Sequence, residues 1–183
     1  MSIEIRLLQA LWFILPAYVA NSVPVQISKV KVLERYGRPI DGDRKWLGTR
    51  ILGNGKTWRG LFSGIFMGTF IGLIQVLIQQ DVTGFFGVSL PQMSIELAFM
   101  LSAGALMGDM AASFAKRRVR LRPGDPAPLL DQLDFVFGAF FFAWLLTGTI
   151  DYDRFFVIVV ITPVIHLFAN FIAWIWKLKR VPW

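Results

Sequence analysis

Five long apolar stretches in a chain of 183 residues predict an all-α integral membrane protein with five transmembrane helices. Two observations carry this expectation. The composition is 55% apolar and 15% aromatic, with a mean hydropathy of +0.57, more apolar than a typical soluble domain. The apolar residues also fall in blocks, and about 20 of them in a helix cross a hydrocarbon core of about 30 Å. The second observation is charge placement. Of the 19 Lys and Arg, all but Arg6 and Arg154 lie between the first two blocks, between the third and fourth, or after the fifth. With five spans these three segments share one side of the membrane. The positive-inside rule then puts the N-terminus outside and the C-terminus in the cytoplasm.

The predicted spans are Ile5–Gln26, Gly60–Leu77, Ile95–Ala115, Leu133–Ile150 and Phe155–Trp176. The first has a single Arg at its start, two internal prolines and no small-residue cleavage site, so it reads as a span rather than a signal peptide. Pro16 and Pro24 predict a kink or break towards its end, because each removes a helical hydrogen bond. The segment Ile27–Trp58 is long and polar, punctuated by Gly37, Pro39, Gly42, Gly48, Gly53 and Gly55, and long loops in compact proteins are usually functional or disordered. By contrast, Gln79–Ser94 has one Asp and no Lys or Arg, and Asp151–Arg154 is a short turn. Chemistry is therefore expected in the polar cytoplasmic loops. Tryptophans 46, 58, 174, 176 and 183 sit near span ends on that side, as interfacial anchors do.

The sequence has no repeat and reads as a single domain over 1–183. Cysteine is absent, which removes disulfide, zinc-thiolate and thiol chemistry. The one His, His166, lies inside the fifth apolar run and reads as a packed, hydrogen-bonded residue. A pI near 10.1 would suggest nucleic acid in a soluble domain. Here topology and anionic membrane lipid account for it, and no nucleic-acid partner is expected.

Three groups of residues carry chemistry. Asp109 lies within the third apolar run, where a carboxylate is costly unless paired or facing a wet cavity. Ser113 and Lys116 follow at i+4 and i+7, on one helix face. Ala111, Ala112 and Ala115 keep the neighbouring surface small. Asp131 and Asp134, three apart at the start of the fourth span, fit either a helix N-terminus or a hard metal such as Mg²⁺. Asp109 joins such a site if the third and fourth spans pack antiparallel. The third group is GNGKTWRG, Gly53–Gly60. It fails the Walker pattern, because Arg50 stands where the first glycine belongs. Its glycines still allow close backbone approach, and Lys56, Thr57 and Arg59 add donors for an anion. Carboxylates, cations and a glycine loop on one face make a toolkit for nucleotide phosphoryl or nucleotidyl transfer at a lipid headgroup.

Gly108-Asp109, Ser113, Lys116-Arg117 and then Asp131-Gln132-Leu133-Asp134 resemble the G-D-x-x-x-S-x-x-K-R … D-x-x-D signature of CDP-diacylglycerol synthases. The closer similarity is to their archaeal branch, the CDP-archaeol synthases, through Asn54-Gly55-Lys56-Thr57 and Leu130-Asp131-Gln132-Leu133-Asp134-Phe135. Gln132 replaces the Arg of the bacterial-type D-R-x-D, and the linker around Asp125 lacks the bacterial His. The resemblance implies transfer of CMP from CTP to an unsaturated archaeal isoprenoid ether-lipid phosphate, giving CDP-archaeol and pyrophosphate at the cell membrane. It implies a Mg²⁺ cofactor held by Asp109, Asp131 and Asp134, with Lys116 joining them in catalysis. Asn54, Lys56, Thr57, Arg59, Ser113 and Arg117 would bind CTP. Arg118, Arg120 and Arg122 read as solvated or headgroup contacts. Phe135, Phe137, Phe140, Phe141 and Phe142 read as packing or lipid-facing residues, or as a groove for isoprenoid chains. Two other functions compete with this reading. One is a small ion-coupled carrier using Asp109. The other is a CDP-alcohol phosphotransferase, whose D-G-x-x-A-R signature is absent.

Overall fold

The computed structural model describes residues 2–122, 125 and 127–175; of residues 169, 170 and 172–174 it describes the backbone alone. Five helices make up most of it: α1 (Ile3–Ile27), α2 (Trp58–Phe86), α3 (Ile95–Arg118), α4 (Leu130–Thr147) and α5 (Tyr152–Ile175). Among the described residues, α1 to α4 are long and apolar enough to cross a membrane. The long loop adds a 3₁₀ turn, Lys31–Tyr36, and a two-stranded antiparallel hairpin, β1 (Lys45–Trp46) with β2 (Thr49–Arg50). That hairpin departs from the all-α expectation. Trp176, Lys177, Lys179, Arg180 and Trp183 lie outside the described residues.

The helix ends follow local chemistry. Thr57 caps α2 by accepting from the Gly60 N–H at 3.2 Å, and Ser94 caps α3 by accepting from the Leu97 N–H at 3.1 Å. Gly87 and Gly148 close α2 and α4 with φ of 62° and 68°, which glycine adopts without a Cβ penalty. Towards its end α2 runs on to Phe86, well past the expected Leu77.

Pro16 and Pro24 do not stop α1, which continues to Ile27. Neighbouring helices meet the carbonyls these prolines leave free. Pro16 has no N–H for the Trp12 carbonyl, and the Gln75 side chain of α2 donates to that oxygen instead, at 2.7 Å. Pro24 likewise frees the Ala20 carbonyl, which packs on Gly64, where an added Cβ would stand 2.6 Å away. Gly60, Gly64, Gly68 and Gly72 form a buried stripe along α2, the small-residue spacing that lets membrane helices approach closely. At the α3–α4 crossing the approach is closer still: a Cβ on Gly138 would lie nearer the Gly104 carbonyl oxygen than one on Gly64 would to that of Ala20.

The core is apolar and lies between α1, α3, α4 and α5. Ile14, Leu101, Val136 and Ile158 are fully buried, and Phe140 packs on Phe13 and Phe155 with ring centroids 5.3 and 4.9 Å apart. Phe135 and Phe140 thus serve the core, while Phe137 and Phe141 face outward. His166 is partly buried in α5. The strong α3–α4 packing leaves the C-terminal end of α3 beside the start of α4. The beginning of α2 reaches the same end, and there the polar groups gather.

Candidate active site

The long loop is ordered by one buried carboxylate. The Asp41 side chain is fully buried and takes an ion pair from Arg50, with N–H bonds from Gly53 at 2.9 Å, Leu52 at 3.1 Å and Asp43 at 3.2 Å. Burial by itself would raise its pKa. The Arg50 guanidinium and the three amides outweigh that and hold the carboxyl well below the usual carboxylate range. Arg50 also donates to the Asn54 side-chain oxygen. The arginine that breaks the Walker pattern is therefore the residue that shapes the glycine loop. Asp41 stands in no sequence motif, and Arg50 and the amides of Asp43, Leu52 and Gly53 converge on it only in the folded loop.

Two strands of contact hold this loop against the helices. Ile40 N–H donates to the Lys56 carbonyl at 2.8 Å and Trp58 N–H to the Arg38 carbonyl at 3.2 Å, setting Lys56 and Thr57 at the start of α2. Arg118 at the end of α3 donates to the Trp46 carbonyl at 2.6 Å and the Arg50 carbonyl at 2.7 Å. Its guanidinium lies 5.0 Å from the ring centroids of Trp46 and Phe114, which stack on each other. The expectation that Arg118 is only a solvated or headgroup contact is corrected: it fastens the hairpin to α3.

Lys56 reaches across to α3 and pairs with Asp109 at 2.5 Å. This contact joins the glycine loop to the G-D motif, with both side chains about a quarter exposed. A second pair links Lys116 near the end of α3 to Asp131 in the first turn of α4, and Asp131 also accepts from the Ala127 N–H at 2.9 Å. Asp134 is buried on α4 and accepts from the Phe135 N–H at 2.6 Å. It stands within electrostatic reach of Asp109, Lys56 and Asp131. Ser113 is buried between Asp109 and Lys116 along α3.

The other expected residues divide. Thr57 caps α2, and its neighbour Lys56 lines a cavity of about 30 Å³ together with Gly55, Gly60, Asp109 and Met110. Asn54 lies exposed on the loop beside Arg50. Arg117 is buried and donates to the Leu121 carbonyl, closing the end of α3. Arg59 donates to the Ser28 carbonyl at 3.4 Å and lines a different groove, beyond the start of α2.

The expected metal triad is not assembled. Among the described residues no three Asp, Glu or His groups stand close enough to hold a metal ion. Lys56 and Lys116 pair with Asp109 and Asp131, two of the three proposed ligands. The donor set still has the oxygen chemistry a hard cation takes: all three carboxylates lie towards one end of the bundle, and the buried Asp134 accepts from a single amide.

An apolar helical bundle that gathers paired lysines, carboxylates and a glycine loop at one end defines a membrane-embedded enzyme acting on phosphate groups. Comparison with known proteins places it within that class. Residues 3–183 match the CarS-like family, described as CDP-archaeol synthase. A CDP-archaeol synthase of Pyrococcus horikoshii is 45% identical over 179 residues, covering 97% of this chain and 98% of the relative. One from Methanococcus maripaludis is 44% identical and covers 100% of both chains. A solved structure described as an intramembrane enzyme for archaeal membrane lipids biosynthesis superposes with a TM-score of 0.73 at 34% identity, over 90% of this chain and 94% of that one. The chain belongs to the CDP-archaeol synthase family, the CTP-dependent cytidylyltransferases of archaeal lipid biosynthesis.

Proposed function

We propose that the chain transfers CMP from CTP to 2,3-di-O-geranylgeranylglycerol 1-phosphate at the cytoplasmic end of its helices. The observation that carries this reading is the 2.5 Å contact between Lys56 and Asp109. It brings together the N-G-K-T loop and the G-D-x-x-x-S-x-x-K segment, which are far apart in the chain. Counting α5, which is 24 residues long, gives five spans, and the basic loops then support a cytoplasmic site in the cell membrane.

In the reaction a phosphate oxygen of the lipid attacks the α-phosphorus of CTP. The bond from that phosphorus to the bridging oxygen breaks, and pyrophosphate leaves with the electron pair. A phosphate monoester has a second pKa of about 6, so the nucleophile is largely dianionic at neutral pH and needs no general base. Two anions must nevertheless approach, which makes orientation and charge cancellation the enzyme's main task. Lys56 and Lys116, released from their carboxylates, would turn to phosphate oxygens. The cavity beside Lys56 measures about 30 Å³, and opening of the Lys56–Asp109 pair would widen it for the nucleotide. Asn54, Thr57 and the loop amides would bind the nucleotide, with Ser113 and Arg117 supporting the end of α3.

Asp109, Asp131 and Asp134 would hold Mg²⁺. When bound, the ion neutralises charge on the triphosphate and on the departing pyrophosphate. The test is direct. Purified protein in lipid nanodiscs, given Mg²⁺, labelled CTP and the ether-lipid phosphate, should yield a CDP-lipid. Folded protein that makes no such product under these conditions overturns the reading.

A further inference from the structure

Outside the Lys56–Asp109 cavity, a groove of about 710 Å³ opens at the start of α2 and has no role in the site described above. Arg35, Arg38 and Arg59 line it together with Tyr36, Trp58 and Phe62. Among the described residues none of the three arginines pairs with a carboxylate. The Nε and Nη1 atoms of Arg59 are buried and have no hydrogen-bond partner. Unsatisfied donors on a charged group are costly, and three guanidinium groups in one groove call for an anion.

The groove continues into an apolar track. Trp58 stacks on Phe62 with centroids 5.7 Å apart, and Phe66 stacks on Phe70 at 6.3 Å. These four rings recur every fourth residue and are exposed, with Phe62 at 63% and Phe66 at 67%. They lie two residues out of phase with Gly60, Gly64, Gly68 and Gly72, which puts them about 200° away around the helix. One face of α2 therefore packs inside the protein while the other offers a row of rings to the bilayer. From Trp58 to Phe70 the row is about 18 Å long, close to the depth of one leaflet of a core about 30 Å thick.

We infer that this groove and track are a docking site for the phosphate-monoester lipid substrate, its phosphate on Arg35, Arg38 and Arg59 and an isoprenoid chain along Trp58, Phe62, Phe66 and Phe70. The inference rests on the cytidylyltransferase reading above and adds the place where the lipid is first held. A monoester dianion matches three arginines better than the single charge of a diester phospholipid. The groove adjoins Lys56 and Thr57 through the chain itself, so a docked lipid waits beside the nucleotide loop.

The full chain in micelles, measured by native mass spectrometry, tests this with three probes: a diether glycerol phosphate monoester, the matching phosphodiester lipid, and inorganic phosphate. The monoester should bind about tenfold more tightly than the diester, the difference expected for an additional charge-assisted contact. Inorganic phosphate should not displace it. Arg35→Gln combined with Arg38→Gln, both at exposed positions, should weaken monoester binding by at least about tenfold and raise the lipid KM while leaving the CTP KM in place. Phe62→Ala with Phe66→Ala should weaken the same lipid without affecting inorganic phosphate. Equal binding of the diester would make the groove a site for bulk bilayer lipid and overturn the inference. Displacement by inorganic phosphate, or unchanged binding in the arginine double variant, would overturn it too. Lipid binding is read without turnover. Wild type that docks the monoester yet makes no CDP-lipid would refute the proposed reaction alone. Wild type that makes CDP-lipid with unchanged kinetics in the arginine variant would refute the docking site alone.

Discussion

Asp41 and Asp109 are both carboxylates paired with a cation, and their surroundings are opposite. Asp41 is fully buried and meets Arg50 through more than one oxygen, with three backbone amides satisfying what remains. Asp109 is a quarter exposed and has one lysine contact. A carboxylate enclosed by amides is committed to architecture, since breaking it strands several buried groups at once. A carboxylate held by a single flexible ammonium can exchange that partner for a ligand. Lys116–Asp131 is of the second kind, although the Ala127 amide steadies Asp131.

The sharpest way to break this comparison is to remove charge from the exchangeable pair. Asp109→Asn should lower kcat/KM by about 10²–10³-fold, as loss of one preorganised electrostatic contact does. The melting temperature should barely move. A large drop in stability with normal activity in the surviving folded protein would move Asp109 into the architectural class. Asp131→Asn should behave similarly, with a smaller loss of stability added because the Ala127 amide loses a charged acceptor.

Removal of the enclosed carboxylate should give the reverse pattern. Asp41→Asn is expected to cost about 1–3 kcal/mol of loop stability. Activity should fall mainly through a raised KM for CTP, because Arg50 no longer holds Asn54. Hydrogen exchange at Leu52 and Gly53 reads the stability change directly, and unchanged protection would contradict it.

The pH dependence sharpens the same point. The carboxyl of Asp41 is depressed in the folded protein, with burial opposing and Arg50 and the amides prevailing. A depressed acid contributes stability that is complete above its unfolded pKa, about 3.9, and is lost as pH falls through the folded value. Exchange protection of the Leu52 and Gly53 amides should therefore survive at about pH 4 and decline only in stronger acid. Loss of protection at or above about pH 5 would show that the knot is weaker than its geometry implies.

The smallest effect is expected at Thr57, which both caps α2 and borders Lys56. Thr57→Ala should cost about 1 kcal/mol of helix stability. Thr57→Ser should restore it, because the hydroxyl alone accepts the Gly60 N–H. If serine restores stability but not CTP affinity, the methyl group also shapes the nucleotide loop.

Much of the membrane architecture was legible in one dimension. Apolar block length predicts spans because bilayer thickness is fixed, and α1 to α4 fall where four of the blocks lie. Asp109, Asp131 and Asp134 were visible because charge in an apolar run is expensive. The lysine partners of Asp109 and Asp131 were not, because Lys56 is 53 residues from Asp109 and Lys116 is 15 from Asp131. The stripe Gly60–Gly64–Gly68–Gly72 meets the Ala20 carbonyl freed by Pro24 and the carbonyl of Pro16 itself, contacts that only the packed helices reveal.

Sequence by itself thus determined the apolar helices, the pole at which charge collects, and the family to which the motifs belong. Those properties depend on local composition and on short spacings along one helix. Tertiary structure alone decided that Arg50 serves Asp41, that Arg118 clasps the hairpin, that lysines pair with Asp109 and Asp131, and that Arg59 joins Arg35 and Arg38. Each of these depends on which side chains converge from separate elements, and that convergence is set by how closely glycine-lined helices pack.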